Sequence, residues 1–183
     1  MFSVYKPAED SYLLLNEIIK KKGEVLIDVG TGSGYIAINS KDNFKLIVAT
    51  DIDNKSIKEA KEKTRNCYNI DVVQCNLFDP IRANTFDFIC FNPPYLPRDE
   101  FKTDIDTQTV YINYNGRNII EEFSEKFLEK AKKAKCYVVL SSLTNLDEIL
   151  NENIRKKLHF KEVASKSFFF EKISVFEISI LPS

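Results

Sequence analysis

The chain has 183 residues, of which 44% are hydrophobic and 29% charged, and its net charge is −1. That charge lacks the basic excess typical of duplex nucleic-acid binders, and the length suits one folded domain over residues 1–183. Because no apolar run approaches the ~20 residues of a membrane span and the N-terminus is unlike a signal peptide, we expect a cytoplasmic protein that could also enter a nucleus.

Sulfur and imidazole groups are few and scattered. The candidate metal ligands of this kind are Cys67, Cys75, Cys90, Cys136 and His159. No two cysteines have CxxC spacing, and three of the four lie in apolar, strand-like runs. Since a zinc site needs about four such ligands, the sequence predicts no metal site and favours free, buried thiols in a reducing compartment.

Helix and strand patterns alternate along the chain. The predicted elements are a helix at 8–23, a strand at 24–30, a helix at 34–42, a strand at 45–53, a helix at 54–67 and strands at 70–78 and 85–95. After a polar loop at about 96–116 come a helix at 117–134, a strand at 135–142, a helix at 145–159 and two strands within 160–181, with a turn near 171–172. This order predicts a Rossmann-like α/β fold: a seven-stranded, mostly parallel sheet with helices on both faces and an antiparallel C-terminal hairpin.

Polar residues lie at the carboxyl ends of four of the predicted parallel strands, in the stretches DVGTGSG, TDID, CNLFD and FNPPY. The carboxyl ends of parallel strands meet at one edge of a doubly wound sheet, and ligands bind there. We therefore expect one candidate site at this edge.

Gly30, Gly32 and Gly34 form a GxGxG turn after the first strand, and Asp28 precedes it. A dehydrogenase would have GxGxxG, whereas here the third glycine comes one residue early and lets a ligand lie close to the backbone. Asp28 could accept a hydrogen bond from an ammonium group. The alternative is that the glycines only form a tight strand-to-helix turn.

Asp51 ends the second predicted strand, where a carboxylate can accept both hydroxyls of a ribose. The alternative is a helix cap, although Asp53 or Asn54 suits that role better. Two acids at this edge would repel a pyrophosphate but suit a ligand with an ammonium and a ribose, which S-adenosylmethionine has together with a sulfonium. Asn76 could then accept from the adenine amino group, and Leu77 could pack on the ring.

The stretch FNPPY at 91–95 ends the fourth predicted strand. An amide or exocyclic amine nitrogen is a poor nucleophile because its lone pair is delocalised, so it must be held in line with a methyl donor. The Asn92 side-chain carbonyl and the Pro93 carbonyl can accept its two N–H groups. Pro93 and Pro94 restrict the backbone, and Tyr95 can stack on the planar acceptor. The alternative is that NPPY is only a turn.

These motifs resemble class I S-adenosylmethionine-dependent methyltransferases and, more narrowly, the HemK-related glutamine methyltransferases that modify peptide-chain release factors. The resemblance rests on VYKPAEDSYLLL, DVGTGSG, FNPPY, NGR at 115–117 and the closing SFFFEKISVFEIS. It implies that the cofactor is lined by Ser11, Asp28, Gly30, Asp51, Asn76, Leu77 and Asn92. It also implies that Asn92–Tyr95 hold the glutamine of a Gly-Gly-Gln motif in a class I release factor.

The resemblance is to the short form of the family, in which residues 1–23 would form a helical segment covering substrate and cofactor. This form implies a heterodimer with a small zinc-binding activator protein. The third strand would be a sheet edge, so the activator could add a strand along 70–76. The alternative is an edge shielded by its own charges.

Two residues depart from the family pattern. Asn76 stands where the family often has aspartate, which predicts weaker adenine binding, and Lys6 replaces the usual acid before Pro7. Three other functions stay open: an adenine-N6 methyltransferase acting on DNA or RNA, which would flip its base, a small-molecule methyltransferase, and a non-catalytic scaffold. Asn92→Ala separates the scaffold from an enzyme, because only an enzyme would lose turnover.

Overall fold

The computed structural model describes residues 4–94, 113–114 and 117–182. The strands are β1 Gly23–Val29, β2 Phe44–Asp51, β3 Ile70–Gln74, β4 Phe88–Phe91, β5 Asn113–Tyr114, β6 Arg117–Asn118, β7 Lys135–Ser141, β8 Leu158–Ser167 and β9 Lys172–Ile180. The α-helices are α1 Glu9–Ile18, α2 Tyr35–Asn39, α3 Asn54–Thr64, α4 Ile119–Lys130, α5 Leu146–Ile149 and α6 Glu152–Arg155, and a 3-10 helix spans Lys41–Asn43.

Seven strands form the main sheet in the order β3-β2-β1-β4-β7-β9-β8, and β5 and β6 form a separate antiparallel pair. The first five strands of that order pair in parallel, whereas β9 runs antiparallel to both β7 and β8. The predicted mostly parallel sheet with an antiparallel C-terminal hairpin is confirmed. The prediction that the third strand lies at a sheet edge is confirmed as well.

Apolar side chains cover both faces of the sheet because successive residues of a strand point to opposite sides. In β1, Ile27 belongs to a cluster that includes Phe123 of α4, whereas the neighbouring Leu26 belongs to a second cluster that includes Leu14 of α1. Helices α4 and α6 thus pack on one face, and α1 and α2 on the other. The prediction of helices on both faces is confirmed.

The predicted helix at 145–159 is wrong, because the chain forms two short helices there. Leu150 is extended (φ −91°, ψ 124°) and buried, which ends α5. The Asn151 side chain then accepts a hydrogen bond from the Ile154 N–H at 3.1 Å and caps α6, a role that favours asparagine. His159, predicted within the helix, lies in β8.

Smaller differences concern strand ends. Strand β3 stops at Gln74 and β4 spans only Phe88–Phe91, so both are shorter than predicted. The hairpin turn lies at 168–171, where the Phe168 N–H donates to the Glu171 carbonyl at 2.6 Å, close to the predicted turn.

The cysteines are all free thiols: Cys90 and Cys136 are buried, whereas Cys67 and Cys75 are half-buried. Within the described ranges, His, Cys, Asp and Glu side chains form no cluster of three or more that could hold a metal ion. In the same part of the chain, no helix is long and apolar enough to cross a bilayer.

Candidate functional site

The candidate site lies where the carboxyl ends of β1, β2, β3 and β4 meet. Strand β1 pairs with β2 on one side and with β4 on the other, so the order reverses here, as it does at the ligand crevice of doubly wound sheets. The predicted residues are linked there. The Gly32 N–H donates to Asp51, and Asn92 contacts Ser11 of α1.

The glycines of the turn have two different roles, one in packing and one in leaving room for a ligand. Gly30, Gly32 and Gly34 have φ values of +63°, +56° and +80°, which disfavour other residues. A Cβ at Gly34 would meet the Ala60 Cβ at 3.4 Å, so this glycine serves the packing of α2 on α3. A Cβ at Gly32 would meet nothing within 4 Å, so the backbone of Gly32 is open to a ligand.

Asp28 lies beneath the turn and is only 2% exposed. The Thr31 hydroxyl donates to its Oδ2 at 2.6 Å, and Cys90 Sγ lies 3.5 Å from its Oδ1. Burial raises the pKa of Asp28 to about 6, although the hydrogen bonds from Thr31, Cys90 and the Ala37 backbone oppose that rise. Asp28 therefore binds the glycine turn through Thr31 and contacts β4 through Cys90. Its contact with an ammonium group stays a prediction.

Asp51 holds the turn from the end of β2. Its Oδ2 accepts from the Gly32 N–H and its Oδ1 from the Asp53 N–H, both at 2.9 Å. Burial raises the pKa of Asp51, and these backbone hydrogen bonds oppose the rise. The alternative role as helix cap falls to Asp53, whose carboxylate accepts from the Ser56 N–H at 2.8 Å. Because each carboxylate oxygen can accept more than one hydrogen bond, Asp51 can still bind ribose hydroxyls.

Asn76 and Leu77 follow β3. Leu77 has a φ of +50°, and its carbonyl accepts from the Thr50 hydroxyl at 2.6 Å. Asn76 Nδ2 donates to Glu122 Oε1 of α4 at 2.6 Å. Ile52, next to Asp51, is an apolar side chain with 42% exposure at the same edge, which suits the face of a base.

The NPP corner follows β4. Asn92 Nδ2 lies 3.4 Å from Ser11 Oγ, and Asn92 Oδ1 is buried and has no hydrogen-bond partner among the described residues. Pro93 is buried and Pro94 half-buried, whereas Tyr95 lies outside the described residues, as do most of the predicted loop at 96–116 and residues 115–116 of the NGR motif. An open acceptor at this point can take one N–H of a bound amide or amine.

Hydrogen bonds to the Asp10 side chain fix the first turn of α1. Asp10 accepts from the Ser11 N–H at 2.6 Å and from the Tyr5 hydroxyl at 2.8 Å. Burial raises the pKa of Tyr5, and its hydrogen bond to Asp10 raises it further. The N-terminal segment is thereby held against the corner through Ser11.

Sequence reasoning missed four residues that position the site. They are Asp10, Thr31, Cys90 and Glu122. Thr31 lies inside the glycine turn three residues after Asp28, a spacing that could have indicated their hydrogen bond. Cys90 and Glu122 act across 62 and 46 residues of chain, which no local pattern reveals.

The residues present fit S-adenosylmethionine. Gly32 leaves room against the backbone, Asp51 offers acceptors for a ribose, Ile52 offers apolar surface, and Asn76 can accept from an adenine amino group. The fit is weakest at Asp28, whose burial leaves little surface for direct contact.

Residues 1–161 match the family model described as methyltransferase small domain. A candidate protein N5-glutamine methyltransferase of Methanocaldococcus jannaschii is 38% identical over 167 residues, which cover 86% of this chain and 81% of that protein. The release factor glutamine methyltransferase of Fusobacterium nucleatum is 32% identical over 128 residues. That match covers 65% of this chain but only 35% of the relative, so the chain spans about a third of that relative's length.

Solved structures share the fold. A chain of the E. cuniculi Mtq2–Trm112 complex, which is responsible for methylation of the eRF1 translation termination factor, superposes with a TM-score of 0.72 at 20% identity, covering 96% of this chain and 98% of that chain. A candidate methyltransferase of Streptococcus mutans in complex with SAH superposes with a TM-score of 0.58 at 15% identity, covering 96% of this chain and 100% of that chain. At these identities the likenesses establish the fold.

Proposed function

The chain belongs to the methyltransferase small domain family, and we propose that it methylates the side-chain nitrogen of a glutamine with S-adenosylmethionine as cofactor. The substrate we propose is the glutamine of a Gly-Gly-Gln motif in a class I peptide-chain release factor. The observation that carries the proposal is the buried Asn92 Oδ1, which has no hydrogen-bond partner among the described residues. Because buried acceptors are nearly always paired, this oxygen supports an N–H of the substrate as its partner.

When bound, S-adenosylmethionine supplies an electrophilic methyl group: the C–N bond forms as the C–S bond breaks, sulfur keeps the electron pair, and the nitrogen then loses a proton. Asn92 Oδ1 accepts one N–H of the glutamine amide, and the Pro93 carbonyl accepts the other. These two acceptors draw electron density toward the nitrogen and aim its remaining face. We assign to Tyr95 the stacking on the planar amide.

Rigidity is the main contribution of the corner, because a delocalised nitrogen reacts only when it is held in line. Pro93 and Pro94 restrict the backbone, and Ser11 lies against the Asn92 amide. Phe91, just before the corner, stacks on Phe123 of α4 with ring centroids 4.7 Å apart. The acceptor is therefore positioned before the substrate arrives.

We assign the cofactor to the neighbouring strand ends. Asp51 would accept the ribose hydroxyls, Asn76 the adenine amino group, and Ile52 with Leu77 would pack on the ring. Gly30 and Gly32 would let the cofactor lie close to the backbone, and Gly34 keeps the turn packed on α3. Asp28 would act mainly by fixing Thr31 in that turn.

Mass spectrometry of a release factor tests this function. The chain is incubated with S-adenosylmethionine and the factor, with and without the small zinc-binding activator. In the reaction that contains the activator, we expect one added methyl group on the Gly-Gly-Gln glutamine. Asn92→Ala should abolish most turnover but keep SAH binding, whereas the exposed Asn39→Ala should change neither. Methylation of adenine oligonucleotides instead of the factor would refute the glutamine substrate, and full turnover by Asn92→Ala would refute the role of Asn92.

The edge strand β3 supports the activator as partner. The Asn69 carbonyl accepts from the Ile47 N–H of β2, and the Cys75 N–H donates to the backbone carbonyl of Asp51. Because the backbone groups of alternate residues point to opposite sides of a strand, those of Val72 face away from β2. A partner strand could bind there.

Val72→Pro tests the edge without breaking the pairing to β2, since proline is tolerated where an N–H faces outward from an edge strand. We expect it to abolish activator binding, measured by co-purification, while Val72→Ala, which keeps the N–H, binds normally. A Val72→Pro chain that still forms the complex would refute strand addition at β3.

A further inference from the structure

The amide of Asn76 is held by a residue that lies far along the chain. Asn76 Nδ2 donates to Glu122 Oε1 at 2.6 Å, and the Glu122 side chain is only 13% exposed. An ionised carboxylate can only accept hydrogen bonds, so it selects the NH2 group of the amide. The amide oxygen of Asn76 must then point away from Glu122, where it can accept from a ligand.

A lysine holds the Glu122 carboxylate in place. Lys126 Nζ lies 3.1 Å from the same Glu122 oxygen and also pairs with Asp79. Because the ammonium group of Lys126 can only donate hydrogen bonds, this contact fixes the Glu122 oxygen beside Asn76. The amide of Asn76 is thereby held in one of its two orientations.

We propose that Glu122 is a specificity-determining positioning residue, which presents the Asn76 oxygen to the cofactor so that the site selects a 6-amino purine over a 6-oxo purine. The inference rests on the proposed function, because it takes S-adenosylmethionine as the ligand of the strand ends. A 6-amino group donates to the Asn76 oxygen, whereas a 6-oxo group would bring two acceptors together. Aspartate at position 76 would set two carboxylates against each other, so Asn76 and Glu122 form a matched pair.

Binding of two ligands to the full chain tests the proposal. Calorimetry gives the dissociation constants of S-adenosylhomocysteine and of its inosine analogue, which carries a 6-oxo group. The wild-type chain should prefer the adenine form by about tenfold or more, the range of one hydrogen bond exchanged for an unpaired acceptor. In Glu122→Ala the amide of Asn76 can rotate and offer its NH2 to the oxo group, so the preference should fall below about threefold.

A charge swap provides a second test. Asn76→Asp alone should weaken binding of S-adenosylhomocysteine by about tenfold, because like charges in contact repel. In the double variant Asn76→Asp with Glu122→Gln, the glutamine amide can donate to the new carboxylate. We expect this chain to regain affinity to within about threefold of wild type, a rescue that a merely structural contact would not produce.

Glu121 gives a matched control on the same helix. Its Oε1 accepts from Nδ2 of the exposed Asn151 at 3.0 Å, so Glu121→Ala should leave both dissociation constants unchanged. An unchanged adenine preference in Glu122→Ala, or wild-type affinity in Asn76→Asp, would overturn the inference alone. Failure of the wild-type chain to bind S-adenosylhomocysteine would overturn the proposed function as well. If Glu122→Ala does not fold, the charge swap decides.

Discussion

Replacing Asp28 with asparagine should change how the stability of the chain depends on pH. Burial raises the pKa of this carboxyl from 3.8 to about 6, against the opposing hydrogen bonds from Thr31, Cys90 and the Ala37 backbone. In the unfolded chain the group titrates near its ordinary value. Between these two values the folded chain holds the proton more tightly, so the free energy of unfolding falls as the pH rises through that window.

The size of the effect follows from the shift. A rise of about two pKa units corresponds to about 3 kcal/mol between the two protonation states. Asparagine stays neutral, and its NH2 group can donate to the Thr31 hydroxyl. The wild-type chain should therefore lose about 3 kcal/mol relative to Asp28→Asn between about pH 4 and pH 7, with no further divergence above that range.

Urea unfolding of both chains at several pH values measures this difference directly. A difference between the two free energies of unfolding that stays constant from about pH 4 to pH 7 would refute the raised pKa of Asp28. Thr31→Val sharpens the test. It removes the hydroxyl that donates to the Asp28 carboxylate at 2.6 Å, so the pKa of Asp28 should rise further and the loss of stability should extend to higher pH.

Three further predictions concern packing, capping and the glycine turn. Phe123→Ala should lower the free energy of unfolding by about 3–5 kcal/mol, because Phe123 is 1% exposed. Phe169 is 91% exposed, so Phe169→Ala should change that free energy by no more than about 0.5 kcal/mol. Equal effects of the two variants in urea unfolding would contradict this. Asp53→Ala should lower the free energy of unfolding by about 1 kcal/mol in the same assay, since it removes the acceptor for the Ser56 N–H. An unchanged midpoint of urea unfolding would contradict the helix cap. Gly32→Ala should weaken SAH binding in calorimetry because its Cβ would enter the open space at the turn; unchanged affinity would place the cofactor elsewhere.

Most of the fold could be predicted from the sequence because each element carries its own periodicity. Continuous apolar runs such as VLI in β1 and YVVL in β7 mark strands buried on both faces. The helix at 145–159 failed for a local reason: its apolar spacing continues across Leu150, but Leu150 is extended and Asn151 starts a new helix. Asn151 could have indicated that break. Its side chain accepts from the N–H three residues later, at Ile154, which is typical of the residue that caps the start of a helix.

The candidate site was less predictable than the fold. Positions such as Asp51 and Asn92 could be predicted because they lie at the ends of strands that meet at one edge of the sheet. Their partners could not, because the contacts of Asn76 with Glu122 and of Asp28 with Cys90 join distant parts of the chain. The burial of Asp28 was also unexpected, because the spacing of Thr31 could indicate their hydrogen bond but not that the carboxyl group lies buried.

The polar groups of the site differ in how much of their hydrogen-bonding capacity the protein itself uses. Asp28 and Asp51 accept from Thr31 and Gly32, and they thereby fix the turn between β1 and α2. Asn76 is oriented by Glu122. The Asn92 oxygen, by contrast, is buried and unpaired among the described residues. The proposed reaction holds a weak nucleophile in line, and it would use this combination of rigid groups that shape the site and an acceptor that is left for the substrate.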